Sequence, residues 1–171
     1  MRIPTLPRII ATGETAPAPA ASPDDAVVEL RWATLPSVLA LLAVHHWFAV
    51  FDPEARVWER WEVWQSQNAG GTSWGHVHKD LMRMDRGVGG GRAVVQATWR
   101  DEDARRIRDV LGEPSRYPNR DRYRAWPGPN SNTYVAWVLA EAGVACDLGR
   151  RAIGKDFAAR RRDADRVHQP R

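Results

Sequence analysis

The stretch Trp126-Pro127-Gly128-Pro129-Asn130-Ser131-Asn132-Thr133 constrains this chain more than any other segment. Its two prolines fix their own φ and push the residues before them toward extended backbone. Gly128 permits a tight turn. The four residues from Asn130 to Thr133 are all good helix N-caps, yet one helix start needs one cap. Tyr134, Val135, Trp137, Val138 and Leu139 then supply a broad apolar face, and Gly143 a stop. The pattern predicts a core helix that opens at Ser131 or Asn132 and runs through Glu141. A helix start carries free N–H groups and a partial positive charge, so a side chain there can be an activated nucleophile or part of an anion site.

The rest of the chain reads as alternating strands around that helix. Val27 to Trp32 alternates as a strand, and Thr34 with Pro36 reads as the start of a short helix to about Ala43. His45 to Phe51 reads as a buried strand, turned by Asp52-Pro53-Glu54 into a partner at Val57 to Trp64. In that partner Val57, Glu59, Trp61 and Val63 share one face, and Trp58, Arg60, Glu62 and Trp64 the other. Neither face is wholly apolar, so the aromatics must carry much of the packing. Gln65 to Gly75 reads as loop, and His76 to Met84 as a strand leading to a turn. The four glycines between Gly87 and Gly91 lack the residues of a phosphate loop and read as a hairpin tip. Arg92 to Trp99 is a further strand, Asp101 to Leu111 a helix capped by Asp101 and stopped by Gly112, and Pro114 to Trp126 an extended polar segment. The fold class that follows is α+β: a small, mainly antiparallel sheet with about three helices.

Composition sets the limits. Residues 1–25 are rich in Ala, Pro, Thr and Ser and read as an arm outside the core. Residues 26–158 form one globular domain, and 159–171 a basic tail. The net charge of +4 belongs to that end, because residues 148–171 hold eight Lys/Arg against three Asp/Glu. Arg160-Arg161-Arg162 has no aromatic interleaving, so nucleic acid is not the expected partner. The one cysteine, Cys146, permits no intrachain disulfide and no zinc spacing. No cofactor is implied. No apolar run is long enough to span a bilayer, and no targeting segment is evident, so a cytoplasmic location is expected. The nine tryptophans read first as core area, and as a ligand or partner surface if several are exposed. Sequence alone leaves the oligomeric state open.

Several of these motifs occur together elsewhere. Trp126 to Thr133, with Asp121-Arg122-Tyr123-Arg124 before it and Ala152-Ile153-Gly154-Lys155-Asp156 after it, resembles a bacterial family catalogued as domain of unknown function 3750. His45-His46-Trp47-Phe48-Ala49-Val50 resembles its His-x-Trp strand. More distantly, a histidine strand followed by a polar helix start is similar to circularly permuted papain-like domains of the NlpC/P60-like type. The resemblance implies a nucleophile at Ser131, where those domains carry cysteine, and a base at His45. The similarity of this segment to the histidine strand of those domains favours His45 over His46, and the two alternate to opposite strand faces, so both cannot serve one site.

Each candidate has a plainer reading beside it. Ser131 is explained by capping alone, and His45 by a satisfied core position. His76 and His78 stand at i, i+2 and could share a metal, but no third ligand is fixed, so no metal is expected; one of them could instead orient His45. Asn130, Asn132, Thr133, Arg122 and Lys155 form a candidate polar or anionic binding set. Lys155 is expected near the Asn130 loop, and Arg122 and Arg124 can grip a carboxylate or phosphate unless Asp121 pairs with them. Three functions follow: an amide or ester acyl hydrolase or transferase with N–H groups of Asn132 and Thr133 at the oxyanion, a degenerate scaffold that binds a polar or anionic ligand, or a Trp-rich interaction module.

Overall fold

The computed structural model describes residues 26–36, 41–89 and 91–157. Six strands form one sheet: β1 (Val27–Thr34), β2 (Val44–Asp52), β3 (Val57–Val63), β4 (Thr72–Trp74), β5 (Val77–Lys79) and β6 (Val94–Trp99). Their order is β4-β5-β3-β2-β1-β6, and every pairing is antiparallel. Two α-helices, α1 (Asp101–Leu111) and α2 (Ser131–Ala142), complete the described fold. The α+β class and the antiparallel sheet agree with the sequence reading; the helix count among the described residues is two rather than three.

The differences have local causes. Thr34 closes β1 as a paired residue opposite Val44, so it is not a helix cap. The helix expected after it falls partly on residues 37–40, outside the described residues. Asp101 is the first helical residue of α1, not its cap, and Arg100 before it makes no side-chain cap bond. Asp101, Glu102 and Asp103 instead place negative charge on the positive end of the helix. The 65–75 loop holds the short strand β4, whose alternation is too brief to read. Within 114–126, Pro114–Arg116 forms a single 3-10 turn.

The register explains the core. Leu30 lies opposite Phe48, and Phe48 opposite Trp61, so these side chains share one face of the sheet. α1 and α2 cover that face with Ala104, Ile107, Tyr134, Val135 and Val138, all fully buried. The opposite face carries Ala33, Trp47, Arg60 and Glu62, each 0% exposed. Residues 83–88 lie over it: Trp47 Nε1 donates to Met84 O at 3.0 Å, and Arg60 Nη1 donates to Arg83 O and Arg86 O. The mixed polarity of β3 therefore reflects a second buried face, not a solvated one.

Of the nine tryptophans only Trp126 is exposed. The others are buried or half-buried, as in the Trp61–Trp74 stack and the Tyr117–Trp137 contact. The nine therefore form no cluster of exposed tryptophans of the kind that would favour an interaction module.

Candidate active site at the start of the second helix

Asn130 is the N-cap of α2. Its Oδ1 accepts from the N–H of Asn132 at 3.0 Å and of Thr133 at 3.2 Å. Thr133 Oγ1 accepts in return from Asn130 N at 3.1 Å, and donates to Gly154 O at 2.7 Å. Asn130 Nδ2 reaches Ala125 O and Ile153 O, both at 3.0 Å. Gly154 has φ +93°, and a Cβ there would come within 2.6 Å of Asn130 Nδ2, so only glycine fits this close approach.

Asn132 ties the helix start to the sheet. Its Nδ2 donates to Val44 O at 3.0 Å and to Ile153 O at 2.9 Å. Those two acceptors fix the amide, leaving Oδ1 to accept from His46 Nδ1 at 2.8 Å. The far nitrogen of His46 lies 2.9 Å from Gln96 Oε1. Burial draws the His46 pKa below its ordinary value, against the opposing effect of the Asn132 and Gln96 bonds.

Ser131 stands apart from this set. It is 5% exposed, and among the described residues its hydroxyl and its own N–H make no hydrogen bond. Capping does not account for it, because Asn130 is the cap. The N–H groups of Asn132 and Thr133, expected at an oxyanion, are spent on Asn130 Oδ1. Ser131 lines a cavity of about 510 Å³ together with His45, Tyr123, Trp126, Asn130 and Asn132. Its remaining wall is largely apolar, from Leu35, Leu42, Ala43, Val44, Ala125 and Ile153, with Arg150 as its one charged residue.

His45 points to the second face of the sheet, away from His46. Its Nε2 lies 2.8 Å from Glu62 Oε2, and its ring meets Trp64 edge-on at 5.4 Å. A carboxylate accepts, so Nε2 carries the proton and Nδ1 is the free nitrogen. Glu62 is paired in turn with Arg60: Nη2 donates to Oε2 at 2.8 Å, and Nε lies 2.7 Å from Oε1 as an ion-pair contact without a hydrogen bond. The guanidinium carbon sits 4.1 Å from the Trp47 ring centroid. Burial pushes the Glu62 carboxyl up, but His45 and Arg60 outweigh it and hold the group below the usual carboxylate range. Sequence reasoning placed Arg60 and Glu62 on one strand face but gave them no role. The available signal was two opposite charges at i, i+2 between tryptophans, a pattern that buries only as a pair.

The other expected site residues go elsewhere. His76 Nδ1 donates to Trp64 O at 2.9 Å, and its ring stacks obliquely near Tyr123. His78 is occupied at both nitrogens, by Ser73 Oγ at 2.8 Å and Ser66 O at 3.0 Å. The group that orients His45 is therefore Glu62 and neither of these. Among the described residues no group of three or more His, Cys, Asp or Glu could hold a metal ion. The main chain of residues 153 and 154 meets Asn130 and Thr133, while the Lys155 side chain, expected near the Asn130 loop, pairs with Asp147 at 3.5 Å. Arg122 is exposed at a neighbouring cleft.

Fold and site thus define a single-sheet α+β domain whose second helix begins against the first core strand. The chain belongs to the family described as "Protein of unknown function (DUF3750)", which matches residues 25–157. No curated protein and no solved structure matches it. No helix among the described residues is long and apolar enough to cross a membrane.

Proposed function

We propose that the chain hydrolyses or transfers an acyl group from an amide or ester, on a permuted papain-like arrangement in which serine replaces the thiol. One observation carries this reading: Ser131 is the only polar residue from Asn130 to Thr133 whose side chain is left unbonded, and it lines the same cavity as His45. The order also fits, with the histidine strand first and the nucleophile helix later. In this scheme Ser131 Oγ attacks the carbonyl while His45 Nδ1 takes its proton. Glu62 holds the Nε2 proton and steadies the imidazolium as it forms. The free N–H of Ser131, at the positive end of α2, faces the developing oxyanion. His45 then returns the proton to the leaving group, and water or a second acceptor releases the acyl enzyme. The apolar wall suits the acyl part of a substrate.

A serine gains less than a thiol from a helix start, and this favours a second reading, a scaffold retained for binding alone. A fluorophosphonate probe separates the two. Labelling of the native chain at Ser131, lost in Ser131→Ala and reduced in His45→Ala, supports acyl transfer. A folded chain that stays unlabelled, and that turns over no p-nitrophenyl ester, leaves the binding scaffold.

A further inference from the structure

A second cleft of about 660 Å³ adjoins the Ser131 cavity, and Tyr123 lines both. Arg122 and Arg124 line this cleft, and among the described residues neither guanidinium has a hydrogen-bond or ion-pair partner. The acid beside them is already engaged, since Asp121 Oδ2 pairs with Arg120 Nε at 3.1 Å. Their backbone is held: Arg122 N donates to Asn119 O at 3.0 Å and Arg124 N to Pro129 O at 2.8 Å. Across the cleft His76 gives its Nδ1 proton to Trp64 O, so its Nε2 is a free acceptor toward a protonated oxygen.

We infer that the cleft formed by Arg122, Arg124, His76 and Tyr123 is an anion subsite that takes a carboxylate or phosphate. Two unpaired guanidiniums on a held backbone supply donors matched to such oxygens. Burial raises the Tyr123 pKa, so its hydroxyl stays a donor at neutral pH. That the anion belongs to the acyl substrate rests on the function proposed above; the subsite itself does not. An acylated molecule with an anionic group could then span Tyr123, acyl part at Ser131 and anion at the arginines.

The test is titration of the full chain with inorganic phosphate and, separately, with glutarate, read by calorimetry or amide chemical shifts at low salt. Either anion binds the native chain, and Arg122→Gln and Arg124→Gln each weaken it by about tenfold or more, the size of one charge-assisted bond pair. The tighter anion names the source, phosphate or carboxylate. Ser131→Ala keeps the binding, so a chain that binds anions but shows no acyl transfer removes the proposed function and not the subsite. No binding of either anion at about 10 mM, or binding unchanged in both arginine variants, overturns the inference.

Discussion

Glu62→Gln tests the buried face of the sheet and the candidate site together. In the native chain Glu62 and Arg60 are each 0% exposed, joined at 2.7 and 2.8 Å. Glutamine keeps the size but removes the charge, so Arg60 is left buried with only the carbonyls of Arg83 and Arg86 and one amide oxygen. Breaking one side of a buried pair costs about 3–5 kcal/mol. That is a large part of the roughly 5–15 kcal/mol that holds a domain of this kind folded. Thermal unfolding followed by tryptophan fluorescence should show it, with a melting point lowered by roughly 6–20 °C at about 2–4 °C per kcal/mol. Removing both charges, in Arg60→Met with Glu62→Leu, should recover at least half of the loss. The gap between native and Glu62→Gln should also close in acid. A depressed carboxyl pKa contributes stability above its ordinary value of 4.5 and loses it as pH falls through the folded value. At the site, the amide can donate to His45 Nε2 and drive the proton to Nδ1, the nitrogen needed as base. Any acyl transfer should then fall by up to about 10⁴-fold. A Glu62→Gln chain within about 1 kcal/mol of native, or a double variant no more stable than the single one, would refute the reasoning.

His46 gives a second pH effect in a different window: burial lowers its folded pKa, so stability present above about 6.5 is lost as pH falls toward the folded value, and melting points from pH 7.5 to 5.5 should drop less steeply in His46→Gln. Gly154→Ala should cost about 1–3 kcal/mol, because φ is +93° and the added methyl meets the Asn130 amide; a variant as stable as native in urea unfolding would contradict that contact.

Much of the fold was legible because it rests on short-range signals. Alternation over 27–32 and 45–51, the turn at Asp52-Pro53-Glu54 and the apolar face after Asn132 all survive folding, with ends moved by a residue or two. The missing parts are set by distant partners. β4 is strand because it pairs with Val77–Lys79, not because Thr72–Trp74 alternates. The fate of Thr34 was decided by Val44 across the sheet. Local capping preference could not outbid a ladder hydrogen bond that the sequence does not display.

The site shows the same division more sharply. Four consecutive capping residues announced a special helix start, but not which one was free. That depended on Val44, Ala125, Ile153 and Gly154, whose carbonyls consume the side-chain protons of Asn130, Asn132 and Thr133. Subtracting those bonds leaves Ser131, the one residue of the four that capping chemistry explains least. The reverse holds on β3, where Arg60 and Glu62 share a face with Trp58 and Trp64 and carry no role in the sequence reading. A charge cannot be buried alone, so the fold that hides Glu62 must also hide Arg60, and the pair then presents a fixed carboxylate oxygen to His45. A helix start too polar for its capping duty and a strand too charged for a buried face are both departures from local consistency, and such departures gather where a chain carries function.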